Sequence, residues 1–522
     1  MKIGKLAAAG LAALGLVTAS AAPQALTGIG AAQAQAAKRP NIVLILADDL
    51  GYNDISLHGN PLVRTPNIDS IAQSGARFEN GYTGDAVCST SRAALMTGRN
   101  YSRYGFEWLP NLPGFVNARN GKYVVERYAA KIQPTDGKPI PPERNGLPDT
   151  EVTMAQVLKA QGYHTGIVGK WHLGTAPNLL PQRRGFDEFV GFPGGAALYA
   201  KVDDPTVVTA KLPWSGIDAY LYDNLTTNVW RDGKPTPAKK YMTYELADEA
   251  VNFIDRNKKK PFFLYLAFNS PHNPIQAPKA IYDRMGHIKD EKTRVYYSMI
   301  QAMDDGVGQV LRKLKAEGLE KDTIVVFLSD NGGASYHQIP QENLPYRGWK
   351  TTYFEGGVHV PFFVKWPARI PAGTMTPGIA SSLDLFPTFL AAAGGKLPAD
   401  REYDGVDLTA SLTGQAGPDA LRSRSLYWRK GDYRMIRQGD WKLQTLDDPK
   451  AVWLFDLATD PTERINLASM MPEKVMELKA AFAAQEKKYI APAWPATARA
   501  RINVDGHPPV IPGTVEYVEW LN

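Results

Sequence analysis

The chain has 522 residues, 44% of them hydrophobic and 21% charged, which excludes a disordered, collagen-like or coiled-coil protein and leaves a globular chain. That length exceeds the roughly 250–300 residues at which single cores stop growing, so one large domain with a smaller companion is expected. The formal charge of +6 is spread without any Lys/Arg stripe carrying interleaved aromatics, which argues against a nucleic-acid partner.

Lys2 and Lys5 precede an apolar stretch from Leu6 to Val17, and small residues continue to Ala34-Gln35-Ala36. This is the pattern of a secretory signal over residues 1–36, with the mature chain starting near Ala37. The apolar run is shorter than the roughly 20 residues a membrane span needs. A periplasmic or secreted protein with no membrane attachment after signal removal is therefore expected. Cys88 is the one cysteine, so no internal disulfide is expected. A lone cysteine without context is most simply a small buried apolar residue.

After Asn41, the continuously apolar run Ile42 to Leu46 predicts a strand buried on both faces, as in a parallel sheet, and Asp48 and Asp49 follow at once. Helices are expected at Ile68–Ser74 and Arg92–Met96, the second capped by the small polar residues Ser89 to Ser91, which sets Cys88 at its N-terminus. Residues 109–150, rich in Pro, Gly and Asn, read as an irregular insertion. A helix at Thr153–Gln161, strands at Thr165–Val168 and Phe262–Ala267, a long amphipathic helix at Arg294–Lys315 and a strand at Ile324–Leu328 continue the alternation. This last strand also ends in ligand-type residues, Asp330 and Asn331. Beyond residue 418, short strands at Ser425–Trp428, Tyr433–Arg437 and Trp441–Gln444, with a helix at Pro472–Glu486, predict an antiparallel C-terminal subdomain. The expected division is 1–36 signal, 37–418 catalytic domain and 419–522 α+β subdomain.

In open α/β sheets, ligands gather beyond the carboxyl ends of the strands. Two buried strands that each end in a pair of hard oxygen donors, Asp48 with Asp49 and Asp330 with Asn331, point to a divalent cation of the calcium or magnesium kind, and zinc-type ligand spacing is absent. Cys88-Ser-Thr-Ser-Arg92, followed by Leu95-Met-Thr-Gly-Arg99, resembles the signature of the sulfatase family. Thr90 stands where the family usually has proline. Further family motifs follow in order: ADDLG from Ala47, TPNID from Thr65, GKWHLG from Gly169, RGFD from Arg184, SPHNP from Ser270, SDNGG from Ser329, and RGWK with EGG from Arg347 to Gly357. The stretch around Lys350 is similar to the arylsulfatase B-like, glycan-desulfating branch.

This resemblance implies an alkaline-phosphatase-like α/β sandwich, with a large mixed sheet flanked by helices and a small C-terminal antiparallel sheet. It further implies that a maturation enzyme oxidises Cys88 to formylglycine and that Asp48, Asp49, Asp330 and Asn331 hold calcium or magnesium. Arg92 would polarise the formylglycine hydrate, Lys170 and Lys350 would grip sulfate oxygens, and His272 with Lys350 would protonate the leaving alkoxide. His172 would remove the remaining hydroxyl proton, and the two histidine roles are open to exchange. The implied substrate is a sulfated glycan or an aryl sulfate. A phosphate or phosphonate monoester hydrolase of the same superfamily, a non-catalytic sulfoglycan-binding relative and a Cys88 thiolate hydrolase are the competing readings. His337 has no comparable motif support, though it lies close enough in sequence to Asp330 to contact substrate.

Overall fold

The run that follows Asn41 divides by parity. Val43, Ile45 and Ala47 join one hydrophobic cluster and Ile42, Leu44 and Leu46 another, all of them fully buried. Alternation of side chains along a strand allows this only where both faces of a sheet are covered. In the computed structural model, which describes residues 39–110, 140–231, 233–417, 419–447, 450–494, 499–505 and 517–521, that strand spans Asn41–Asp48 and lies near the middle of a ten-stranded sheet. The expected signal and the centre of the insertion lie outside the described residues.

The order across the sheet is Thr374–Ser381, Ala76–Tyr82, Phe362–Lys365, Thr323–Ser329, Asn41–Asp48, Phe262–Pro271, His164–Lys170, Glu188–Phe192, Asn228–Arg231, Lys234–Pro237. From Thr323–Ser329 to Glu188–Phe192 the neighbours pair in parallel. Phe362–Lys365 and Asn228–Arg231 pair antiparallel with the strands on either side, so the sheet is mixed, as the resemblance implied. One face is covered by Pro66–Gln73, Met242–Asn257 and the long helix Glu291–Ala316, and the other by Cys88–Thr97, Met154–Ala160 and Leu385–Ala392.

Boundaries moved where side-chain chemistry decided them. Thr153 caps Met154–Ala160 through a reciprocal box with Gln156. The helix expected at Arg92–Met96 starts four residues earlier, at Cys88, with no side-chain cap. Ser89 donates instead to His172 O at 2.6 Å, Thr90 to Asp85, and Ser91 shares a hydrogen bond with Thr83. The Ser89 and Ser91 hydroxyls thus hold the helix to its surroundings, while that of Thr90 also reaches Val87 O at its own N-terminus, at 2.9 Å.

The later strands form a four-stranded antiparallel sheet, Ser425–Lys430, Tyr433–Gln438, Trp441–Leu446 and Ala451–Asp456. Pro472–Glu486 packs on one of its faces. Among the described residues no helix is long and apolar enough to cross a membrane.

Several motif residues turn out to be structural. Arg184 spends its guanidinium on the backbone carbonyls of Leu147, Pro148 and Glu151. Asp304, buried on the long helix, accepts from Asn67 N at 3.0 Å, Ile68 N at 2.8 Å and Asn67 Nδ2 at 2.7 Å. It thereby caps Pro66–Gln73 from a distance of 236 residues in sequence. Asp304→Ala leaves those donors buried and unpaired, and should cost about 2–3 kcal/mol, read as a lower denaturant midpoint at unchanged slope.

Candidate active site

Four adjacent parallel strands end at one edge of the sheet, and their ends carry the residues singled out from the sequence. Ala47 pairs with Ser329, Asp48 with Pro271, and Gly169 with Ala267. This register brings Asp48 and Asp49, His272, Lys170 and His172, and Asp330 and Asn331 to one place. Asp49 and His172 both hold left-handed backbone conformations, with φ of 64° and 59°, a strain that clusters at functional sites.

Cys88 enters on the first turn of Cys88–Thr97, and its Sγ lies 3.3 Å from His172 Nδ1. Arg92, four residues on and so on the same helix face, donates from Nε to Asp330 Oδ2 at 2.8 Å and from Nη1 to Lys170 O at 3.1 Å. Lys350 arrives on a loop tied at two points, its own N–H to Gly333 O at 3.0 Å and the Thr351 N–H to Ala86 O at 2.9 Å. His172 is seated by its N–H on Pro193 O at 3.1 Å. A Cβ at Gly195 would stand 2.6 Å from His172 Nε2, so that position has room only for glycine.

Acids and bases in the site are matched. Lys170 Nζ donates to Asp48 at 2.7 and 2.9 Å, Lys350 Nζ to Asp49 at 2.8 Å, and Arg92 Nη2 lies 2.7 Å from Asp330. Burial pushes Asp48 up to about 8 against the pull of Lys170. Asp49 is held well below the usual carboxylate range because Lys350 and His272 outweigh the cost of its burial. Desolvation, reinforced by Lys170 and Arg92, keeps His172 far below the usual imidazole range. Desolvation likewise lowers His272, with Lys350 and Lys170 adding to it and Asp49 opposing. Both shifts disfavour the imidazolium form.

Burial raises the Cys88 thiol above its ordinary range despite Lys170 and Lys350. A free thiolate is thus disfavoured, which opposes the thiolate-hydrolase reading in spite of the helix N-terminus.

The donor set fits a hard divalent cation. Asn331 donates its Nδ2 to Asp49 Oδ1 at 2.8 Å, while its buried Oδ1 has no hydrogen-bond partner beside the carboxylates. Asp48 and Asp330 offer oxygens within 4.8 Å of each other and of Cys88 Sγ, and Asp48 and Asp49 do so with His272. An orphaned amide oxygen on a side chain bonded to Asp49, with Asp48 close by, is oxygen-ligand chemistry.

All ten candidate residues converge here. Sequence reasoning missed Tyr336, whose hydroxyl donates to Asp49 Oδ2 at 3.2 Å, and Tyr265, which accepts from Arg92 Nη1 at 3.4 Å. No motif or spacing marks either one. His337 is fully buried between Tyr296 and Tyr336, 4.0 Å from Glu342.

Buried cations and carboxylates gathered around Cys88 make a centre suited to a small anionic group. The Sulfatase family profile matches residues 40–395, and that of "N-sulphoglucosamine sulphohydrolase, C-terminal" matches residues 348–488. The chain is 34% identical to N-acetylgalactosamine-6-sulfatase of Canis lupus familiaris over 424 residues, covering 80% of this chain and 74% of that one. It is 33% identical to human (Homo sapiens) arylsulfatase A over 501 residues, covering 88% and 90%. The crystal structure of Ps i-CgsB in complex with k-i-k-neocarrahexaose superposes with a TM-score of 0.73 at 32% identity, covering 88% of this chain and 95% of that one. The chain belongs to the sulfatase family and is a hydrolase of sulfate esters.

Proposed function

We propose that this sulfatase is exported and desulfates a sulfated glycan, with aryl sulfates as simpler substrates, through formylglycine generated from Cys88 by a maturation enzyme. The observation that carries this reading is the 3.3 Å approach of Cys88 Sγ to His172 Nδ1 where four strand ends meet, among paired lysines, Arg92 and aspartates. A glycan substrate is favoured by the oligosaccharide complex of Ps i-CgsB and by the amino-sugar sulfatases among the relatives. The leading residues 1–36 are the export signal, 37–418 the catalytic part and 419–522 the C-terminal subdomain in this reading.

Asp48, Asp49, Asp330 and Asn331 would hold calcium or magnesium, which supplies positive charge for the sulfate and for the modified Cys88. The formylglycine hydrate supplies an oxygen nucleophile with a second hydroxyl, so that sulfate can later leave by elimination. The remaining work belongs to the chain's own side chains. Lys170 and Lys350 orient the sulfate oxygens, Arg92 fixes the position of residue 88, His272 with Lys350 gives a proton to the departing alkoxide, and His172 takes one from the residue 88 side.

Mass spectrometry of the Cys88 peptide from the native host tests the modification: the aldehyde is expected, and an unmodified thiol in protein that turns over would overturn it. The acid role has a separate readout. His272→Ala should lower kcat/KM about 10²–10⁴-fold for sugar sulfates, whose alkoxides leave poorly, and far less for aryl sulfates with acidic leaving groups. If His172→Ala shows that selectivity instead, the two roles are exchanged.

A further inference from the structure

Lys430 ends the strand Ser425–Lys430 and is 2% exposed, comparable with Cys88 at 3% and Lys350 at 5%. The other buried lysines among the described residues are all paired. Lys170, Lys350 and Lys365 lie 2.7–2.8 Å from the carboxylates of Asp48, Asp49 and Glu320, and Lys442 lies 2.7 Å from Glu355 and 2.9 Å from Glu463. Lys430 Nζ has no hydrogen-bond partner, and Asp85 Oδ2 stands 3.9 Å from it. That oxygen already accepts from the Thr90 hydroxyl, and Oδ1 accepts from Tyr101 at 2.9 Å.

Asp85 therefore attracts the ammonium without satisfying it. Burying three N–H donors and a charge in this way is costly, and such a group is usually retained for something that binds it. Burial pushes the ammonium below the usual lysine range, and its field reaches Cys88 and Lys350 as well as Asp85. The connection to the nucleophile is short. Asp85 lies three residues before Cys88, and Thr90 sits on the first turn of the helix that begins with Cys88. Thr90 occupies the position where the family signature has proline, and the hydroxyl that proline lacks ties this turn to Asp85. The site's other cations are each committed to a carboxylate, whereas Lys430 keeps its donors open.

We propose that Lys430 is a further anion-binding residue of the active site, supplied by the C-terminal sheet, which takes a negatively charged oxygen of the substrate when the ester docks beside Cys88. This rests on the sulfatase chemistry assigned to Cys88 above. Two parts of a substrate carry such oxygens, the reacting sulfate and a neighbouring anionic substituent.

The test compares metal-loaded full-chain enzyme with Lys430→Met and Lys430→Arg, using three probes: inorganic sulfate by calorimetry, a monoanionic aryl sulfate, and a disulfated saccharide. Lys430→Met is expected to weaken binding about 10–100-fold, the range of one charge-assisted hydrogen bond. The loss should appear in KM more than in kcat, with Lys430→Arg recovering part of it and Tm unchanged or higher, since an unpaired buried charge is gone. Weakening of all three probes assigns Lys430 to the reacting sulfate, and weakening of the disulfated saccharide alone assigns it to the neighbouring anion. Unchanged binding of all three, or a lowered Tm with equal losses in both variants, overturns the proposal. Lys430→Gln serves where Lys430→Met does not fold. Wild-type enzyme that releases no sulfate from any ester would instead sink the reading on which the proposal rests.

Discussion

Cys88→Ala is expected to lower kcat/KM for an aryl sulfate by about 10⁴–10⁶, equivalent to about 5–8 kcal/mol of lost transition-state stabilisation. In the proposed mechanism this side chain is the source of the nucleophile, and its removal leaves the electrostatic cradle of Lys170, Lys350 and Arg92. The fold should survive, because the loss of one buried sulfur costs about 1 kcal/mol and the helix is held by Ser89, Thr90 and Ser91. Tm therefore separates a chemical defect from a structural one. Cys88→Ser refines the result: one hydroxyl can attack sulfur but provides no second hydroxyl for elimination, so about one equivalent of product should appear, with sulfate retained on the introduced oxygen. Normal turnover by homogeneous Cys88→Ala protein would remove Cys88 from the mechanism.

The site was more legible than the sheet that builds it. Asp48, Asp49, Asp330 and Asn331 stand directly after apolar β-branched runs, and parallel strands buried on both faces leave that mark in a sequence. Lys170, His172, His272 and Lys350 were found because they lie within ordered motifs, not because their spacing revealed contact. The antiparallel strands Asn228–Arg231 and Phe362–Lys365 are four residues long, too short for periodicity to register, so the mixed character of the sheet came from resemblance alone.

The helix start at Cys88 was misread for a related reason. Small polar residues before an apolar run usually cap, and here tertiary partners outcompete the helix for their hydroxyls. Tyr336 and Lys430 were invisible because their significance lies in what they approach. Lys430 acts on a helix about 340 residues away in sequence, and a lysine ending an amphipathic strand otherwise looks like any solvated charge.

Chelation should lower turnover at least about 100-fold, about 2.7 kcal/mol, and added calcium or magnesium should restore it. The charge balance predicts how the loss divides. Asp48, Asp49 and Asp330 face Lys170, Lys350 and Arg92, so these acids occupy the very cations that a sulfate ester needs. If these carboxylates and Asn331 Oδ1 hold a divalent ion as proposed, its charge would offset theirs and leave a net positive site. Its removal is therefore expected to raise KM as well as to lower kcat. Binding can be read without activity, since an ion that prefers the folded state adds about 2.7 kcal/mol of stability at a hundredfold excess over its Kd, seen as a higher Tm. Asn331→Ala should raise the metal concentration needed for half-maximal stabilisation about tenfold or more while lowering the metal-free Tm only modestly, because an otherwise unpartnered oxygen and two Nδ2 hydrogen bonds, to Asp49 Oδ1 and Gly332 O, are lost. Full activity in protein shown by elemental analysis to be metal-free would refute the ligand assignment, and an unshifted metal requirement in Asn331→Ala would remove Asn331 from it.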